Sequence, residues 1–173
     1  EALARVEVLN ETFEIAPGEF GFVHLRLEIP VICIPNERFI LRQYSPEITI
    51  AGGRVADNSP VKHKRKDSAA VSSVLKILSG AEKTDRVKLL LETAPENGLS
   101  LSDLKARTGW KTEVLRSALT SNVEKKSVIE IDNIFMARTP FDQLKSKTLA
   151  FIEASHRKEP LAKGISRETL RES

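Results

Sequence analysis

Short stretches of alternating apolar and polar residues run through the first third of the chain. Residues 23–29 alternate for seven positions and residues 4–8 follow the same pattern, as strands with one buried face do. Further short strands fit residues 39–42, 48–50 and 54–56, and an apolar run at 31–34 lies between two prolines. About five or six short strands at intervals of roughly 8–12 residues predict a small antiparallel barrel or sandwich.

Beyond residue 66 the apolar spacing changes to the 3.6-residue period of α-helices. The apolar positions of four successive helices are Val71, Val74, Leu75 and Leu78; Val87, Leu90, Leu91 and Ala94; Leu101 and Leu104; and Val114, Leu115, Ala118, Leu119 and Val123. Ser100 and Asp103 have capping-box spacing, Thr112 is placed to cap the next helix, and Asp132-Asn133 fits a tight hairpin turn. This order predicts a winged helix-turn-helix over about residues 82–138.

The formal charge separates the chain into modules. Residues 1–57 carry five arginines and nine acidic residues, a charge of −4, whereas residues 58–173 carry +7. After the hairpin, Thr139-Pro140 starts another helix and Ser166 caps a last one. We therefore predict an α+β multidomain chain with a β-barrel module at 1–57, a basic linker at 58–66, a winged helix at 67–140 and an incomplete second winged helix at 141–173.

The composition of the 173 residues is that of an ordinary globular protein, with 40% hydrophobic and 29% charged residues and a mean hydropathy of −0.23. No apolar run reaches the roughly 18–20 residues of a membrane span, and no signal peptide is visible. Cys33 is the single cysteine and cannot form an internal disulfide. We expect a cytoplasmic protein with no membrane partner.

The sequence contains no catalytic set. It lacks a glycine-rich phosphate loop followed by Lys-Ser/Thr, and its three histidines have no metal-ligand spacing. Gly52-Gly53 is better explained by close packing of strands than by a ligand. We expect no enzymatic activity, no metal and no cofactor in this part of the protein.

Basic residues provide the candidate nucleic-acid contacts. The linker contains Lys62, Lys64, Arg65 and Lys66, and the predicted recognition helix and wing contain Lys111, Arg116, Lys125 and Lys126. Winged helices place such side chains on a duplex backbone. Two alternatives stay open, because a short charge run is often only solvated and many winged helices bind proteins. Glu113 and Glu124 also dilute the positive surface, and Trp110 is expected to anchor the core.

Several ordered motifs resemble one family. They are APGE at 16–19, LRLE-x-P at 25–30, RF-x-LR at 38–42, YSP at 44–46, TI-x-GG-x-V at 49–55 and HKRKD at 63–67. Together with residues 156–173 they resemble the third domain and the following winged-helix array of the selenocysteine-specific translation elongation factors (the SelB family). Asn36-Glu37 stands where that family usually has Gly-Asp, and Ala51 where glycine is common.

The resemblance implies a fold and a function. The fold would be a truncated barrel, similar to the C-terminal domain of elongation factor Tu and lacking its first strand, followed by winged helices. The longer protein would be a GTPase that binds GTP and Mg²⁺ elsewhere and delivers selenocysteinyl-tRNA to the ribosome at UGA codons. Distal winged helices outside this sequence would bind the mRNA hairpin, and the first winged helix would act as a spacer.

The resemblance also implies site residues. By position in the RF-x-LR strand and the turn after it, Arg42, Gln43 and Tyr44 are tRNA-contact candidates, together with Arg38. For Arg38 the alternative is a structural ion pair with Glu37 or Glu47. Two other function classes compete with the translation factor: a winged-helix DNA-binding transcriptional regulator, and a protein-interaction scaffold with no nucleic-acid role.

Overall fold

The alternating stretches of the first 57 residues form four β-strands. The computed structural model describes residues 1–10, 12–60, 67–94, 96–161 and 164–172. The strands are β1 (Ala4–Val8), β2 (Val23–Leu27), β3 (Arg38–Arg42) and β4 (Thr49–Arg54). They pair as two antiparallel two-stranded sheets, β1 with β2 and β3 with β4, and the described residues do not close them into one barrel.

Two details of this half differ from the sequence prediction. The run at 31–34 is not a strand, because the flanking prolines remove backbone donors and restrict the backbone. The strands predicted at 48–50 and 54–56 are largely one strand, β4, whose pairing with β3 shifts register between Leu41 and Arg42. A β-bulge of this kind keeps a strand continuous past an extra residue.

Gly53 lets the aromatic ring of Phe39 lie against the opposite strand. A Cβ atom at Gly53 would lie 2.6 Å from Cζ of Phe39, whereas one at Gly52 would meet only the Phe39 carbonyl oxygen, at 3.4 Å. A side chain at position 53 would therefore displace the ring. This close approach agrees with the packing interpretation of the Gly-Gly pair.

The second half contains the helices and the hairpin in the predicted order. The elements are α1 (Ser68–Gly80), α2 (Lys83–Glu92), β5 (Leu99–Ser100), α3 (Leu101–Thr108), α4 (Thr112–Glu124), β6 (Val128–Ile131), β7 (Ile134–Ala137), α5 (Arg138–Lys158) and α6 (Arg167–Glu172). Strands β5, β7 and β6 form a three-stranded antiparallel sheet with β7 in the middle. The predicted α+β class is confirmed, while the domain boundaries stay predictions.

Local sequence signals set most of the helix and turn boundaries. The Ser100 hydroxyl accepts a hydrogen bond from the Asp103 N–H at 3.1 Å. The Asp103 carboxylate accepts from the Ser100 hydroxyl at 2.6 Å and from the Ser100 N–H at 2.9 Å, and these two bonds lower the pKa of Asp103. Gly109 ends α3 in the left-handed conformation, with φ of 67°. The hairpin turn uses Asp132 and Asn133 at φ of 50° and 63°.

The predicted cap of α4 is wrong by one residue. Lys111 occupies the N-cap position, and Thr112 is the first helical residue. The N-cap residue makes no side-chain capping hydrogen bond. Ser166 does cap α6 as predicted, because its hydroxyl accepts the Thr169 N–H at 3.1 Å.

The hydrophobic core lies in the second half of the chain. Its buried cluster comprises Leu78, Val87, Leu90, Leu91, Leu99, Leu104, Leu115, Ala118, Leu119, Val128, Phe135 and Ala137. Among the described residues of the β half, Leu9 alone belongs to the buried hydrophobic set. A module of this size with so little buried apolar area depends on a neighbour for its stability.

Polar contacts join the β half to the helical half. Nη2 of Arg107 in α3 lies 3.0 Å from both carboxylate oxygens of Asp57, and both side chains are largely buried. The Asn58 amide donates to the Cys33 carbonyl at 3.1 Å and to the Ala106 carbonyl at 3.0 Å. We call Cys33, Asp57, Asn58, Ala106 and Arg107 the junction.

A second contact lies at the other end of the β half. The Ser72 hydroxyl of α1 donates to the Leu9 carbonyl at 2.7 Å. Beside the junction, a Cβ at Gly109 would lie 3.4 Å from Cβ of Ile34, so the loop after β2 packs against the end of α3. The two halves therefore contact each other at more than one point.

We predict that Arg107→Met weakens the protein through the junction. The substitution leaves the Asp57 carboxylate, whose side chain is only 12% exposed, without its cation. We expect a loss of about 2 kcal/mol in the free energy of unfolding, between the values for exposed and fully buried pairs. Urea unfolding followed by circular dichroism measures it. The control is Lys88→Met, which removes an exposed pair with Glu92; equal midpoints for the two variants would contradict the prediction.

We predict opposite effects of glycine at two adjacent lysines before β6. Lys126 has a left-handed backbone with φ of 59°, whereas Lys125 is right-handed. Lys126→Gly should relieve strain and raise the unfolding free energy by up to about 1 kcal/mol, while Lys125→Gly should lower it by roughly 0.5–1 kcal/mol. Thermal unfolding of both variants tests the ordering. A lower melting temperature for Lys126→Gly than for Lys125→Gly would disprove it.

Candidate nucleic-acid interface

Strand β3 presents two of the predicted contact residues on one face. Arg38, Ile40 and Arg42 are exposed, whereas Phe39 and Leu41 between them are partly buried. This alternation follows from the strand period of two. The two arginines therefore share the solvent-facing side of the hairpin formed by β3 and β4, which we call the hairpin face.

The alternative of a structural ion pair for Arg38 is not seen. Within the described part of the chain, Arg38 has no ion pair with Glu37 or Glu47. The Glu37 carboxylate instead accepts the Ile34 N–H at 3.0 Å. The Arg38 guanidinium is exposed, has no carboxylate partner among the described residues, and is available to an anionic ligand.

Gln43 and Tyr44 differ in what they can contribute. The Gln43 N–H donates to the Ile48 carbonyl at 2.9 Å, and its side-chain amide donates to the Ser45 carbonyl at 2.8 Å. Gln43 therefore shapes the loop between β3 and β4, and the loop holds Tyr44 with 81% of its surface exposed. An exposed aromatic ring beside arginines has the chemistry to stack on an unpaired base.

Arg54 is a further cation that the sequence prediction missed. It lies directly opposite Arg38 in the β3–β4 ladder and is exposed. Gly52 lies opposite Ile40 between the arginines, so this strand adds no side chain there. The strand alternation of the TI-x-GG-x-V motif could have predicted that Arg54 faces outward. Its position opposite Arg38 depends on the β3–β4 pairing register, which cannot be read from the sequence.

The basic residues of the helical half are spread along α4. Lys111 and Arg116 are exposed near its start, and Lys125 and Lys126 follow its end. Along the helix axis Lys125 lies about 14 Å from Arg116 and about 21 Å from Lys111. The four cations therefore do not form one cluster, although all lie outside the buried face of α4.

Acidic side chains interrupt this helical surface. Glu113 and Glu124 are exposed on the same helix as Arg116. Alternating signs reduce the local positive potential. The α4 surface is therefore a weaker anion site than the hairpin face.

Trp110 has the structural role predicted for it. It packs against the hydrophobic core, and the Arg86 guanidinium lies 5.0 Å from the centroid of its ring. Partial burial lowers the pKa of Arg86. With one face against a cation and the body in the core, this ring anchors the fold.

The linker candidates lie outside the described residues. These are Lys62, Lys64, Arg65 and Lys66, and they stay predictions.

In the described ranges no group of three or more His, Cys, Asp or Glu side chains could hold a metal ion. None of the helices described there is both long and apolar enough to cross a membrane.

Comparisons with known proteins agree on one family. Residues 1–62 match the family model described as "Selenocysteine-specific elongation factor, beta-barrel domain". The chain is 27% identical over 173 residues to a selenocysteine-specific elongation factor of Desulfomicrobium baculatum, covering 98% of this chain and 27% of that protein.

A solved structure shares the fold. It is a bacterial selenocysteine-specific elongation factor, EF-Sec, with a TM-score of 0.68, 19% identity, and coverage of 99% of this chain and 25% of that one. The chain thus spans about a quarter of the length of both relatives. These matches confirm the resemblance: the chain is similar along almost its whole length to a selenocysteine-specific elongation factor, and residues 1–62 match the model of that family's β-barrel domain.

Proposed function

We propose that this chain is the tRNA-contacting and spacing part of a GTP-dependent factor that delivers selenocysteinyl-tRNA to the ribosome at UGA codons. The observation that carries the proposal is the hairpin face, where exposed Arg38 and Arg42 have no carboxylate partner among the described residues. The match to elongation factors along almost the whole chain supports the choice of RNA. The cytoplasm is where this function would operate.

The hairpin face would bind the RNA backbone. Arginine side chains on a rigid strand suit phosphate oxygens, because the guanidinium donates two parallel hydrogen bonds. Such contacts position an RNA without reading its sequence. Tyr44 would add a stacking contact at the loop tip, with Gln43 holding the loop in shape. Recognition of selenocysteinyl-tRNA among other tRNAs would then require groups beyond this face.

The helical half would act as a spacer with a defined orientation. The junction ties α3 to the β half through the Asp57–Arg107 ion pair and the two Asn58 hydrogen bonds. A tRNA on the hairpin face would therefore have a fixed position relative to the first winged helix. Distal winged helices of the longer protein would hold the mRNA hairpin, and Lys111, Arg116, Lys125 and Lys126 would add weak phosphate contacts.

GTP hydrolysis would belong to another part of the longer protein. The 173 residues contain no phosphate-cradling loop, and the described acidic and histidine side chains do not gather into a metal site. We therefore derive no catalytic step from these residues. The longer protein would bind GTP and Mg²⁺ in a domain that this sequence does not contain.

We predict that the purified chain releases no phosphate from GTP. The reason is that nothing in its sequence can hold the triphosphate and its metal together. A phosphate-release assay with GTP, and with ATP for comparison, measures it. Turnover specific for GTP would overturn the assignment of the chemistry to another domain.

We predict salt-dependent binding of a selenocysteine tRNA transcript that weakens in Arg42→Ala. Loss of one phosphate contact should reduce affinity about five-fold, or about 1 kcal/mol, and lower the slope of log K against log salt by about one. Fluorescence anisotropy over a salt series measures both. The control is Arg5→Ala, an exposed arginine in β1 on the other sheet, which should bind as the wild type does.

Two outcomes would favour the competing functions. Nanomolar binding to one duplex DNA sequence, with no binding to tRNA, would favour a transcriptional regulator. Absence of binding to either nucleic acid at low salt would favour a protein-interaction scaffold. Either result would disprove the proposed function.

A further inference from the structure

Arg38 and Arg54 form a cross-strand pair of like charges. They are direct partners in the antiparallel β3–β4 register, and both are exposed. Directly opposite residues have Cβ atoms about 5 Å apart, a separation at which two like charges destabilise a sheet. Among the described residues no carboxylate forms an ion pair with either arginine.

The other sheet of the β half shows how this charge conflict is relieved elsewhere. Arg5 and Arg26 are also cross-strand partners, in the β1–β2 ladder. There the carboxylate of Glu7, two residues along from Arg5, accepts a hydrogen bond from Nη2 of Arg26 at 2.9 Å. Residues two apart on a strand share a face, so Arg5 and the Glu7 carboxylate that pairs with Arg26 lie on the same face of the sheet. Among the described residues, one arginine pair thus has an acid paired to one of its members and the other pair has none.

The surroundings of the Arg38–Arg54 pair favour a polymeric anion. Gly52 lies opposite Ile40 and adds no side chain, so of that cross-strand pair only Ile40 projects between the two arginines and Arg42. Arg42 lies four residues along β3 from Arg38, about 13 Å away at the strand rise. Cations at both ends of this face can contact successive parts of one backbone, whereas a single small anion would occupy only one end.

We propose that Arg38 and Arg54 together clamp one phosphate of the bound RNA backbone, which makes Arg54 an RNA-contacting residue. The proposal rests on the proposed function and adds a site to it. A phosphate between the two guanidinium groups accepts hydrogen bonds from both and cancels their repulsion. RNA binding therefore stabilises the hairpin of β3 and β4, and Arg42 contacts a separate phosphate.

The decisive variant is Arg54→Glu. It places a carboxylate opposite Arg38, so the free protein should keep or raise its melting temperature. Affinity for a selenocysteine tRNA transcript should fall at least ten-fold and the salt slope by about two, because the new carboxylate neutralises Arg38 as well. Arg54→Ala should lower the slope by about one. Retained stability excludes unfolding as the reason for weaker binding.

A matched control makes the same charge change on the other sheet. Arg5→Glu is also an exposed position opposite an arginine, but lies in the β1–β2 ladder. We expect it to bind the transcript within about two-fold of the wild type. If Arg54→Glu binds as well as Arg5→Glu, the clamp is disproved. In that case weaker binding by Arg42→Ala would still support the proposed function, whereas wild-type binding by both Arg42→Ala and Arg54→Glu would disprove both.

A second measurement separates RNA backbone from free phosphate. Hydrogen exchange of the β3–β4 amides should slow when the transcript is added and change little with inorganic phosphate at millimolar concentration. Equal protection by inorganic phosphate would assign the pair to a small anion and overturn the RNA clamp. Protection by the transcript in the wild type but not in Arg54→Glu would support it.

Discussion

The ion pair between Asp57 and Arg107 is the charged contact that ties the two halves together. The β half has one buried hydrophobic residue among those described, Leu9, so apolar burial alone cannot hold it in place. The pair is largely buried and lies beside the two Asn58 hydrogen bonds. Buried ion pairs contribute little net stability, because desolvation offsets the attraction, but they tolerate few geometries. The junction therefore fixes the orientation of the β half relative to the helical half more than it adds stability.

A fixed orientation of the two halves would matter if the protein held two ligands apart. If the hairpin face holds a tRNA and winged helices beyond α5 hold another RNA, the distance between the two ligands is set where the halves meet. A loose linker alone would let that distance vary. Asn58 is effective in this position because one side chain bonds the carbonyls of Cys33 and Ala106, one from each half.

Local structure could be predicted from the sequence where short-range chemistry decides it. The Ser100–Asp103 capping box, the left-handed Gly109 and the Asp132-Asn133 turn each involve residues at most three positions apart. Pairings between distant residues could not be predicted, since Asp57 and Arg107 are 50 positions apart. The same limit explains Arg54, because its position opposite Arg38 follows from the β3–β4 register. Arg38, Arg42 and Tyr44 came from a family resemblance, and the linker lysines stay predictions.

The charge of the β half shows why net charge is a poor guide to its partner. Residues 1–57 total −4, which taken alone argues against an RNA surface. Several of those acids, however, are used within the fold, since Glu7 pairs with Arg26, Glu37 accepts the Ile34 N–H and Asp57 pairs with Arg107.

Among the described residues, Arg38, Arg42 and Arg54 form no ion pair with a carboxylate, and all three are exposed on the hairpin face. An approaching RNA responds to charges within about one Debye length, roughly 8–10 Å in physiological salt, and not to the total of the domain. Folding thus leaves a locally basic surface on an acidic half, because backbone N–H groups, Arg26 and Arg107 engage several of its acids.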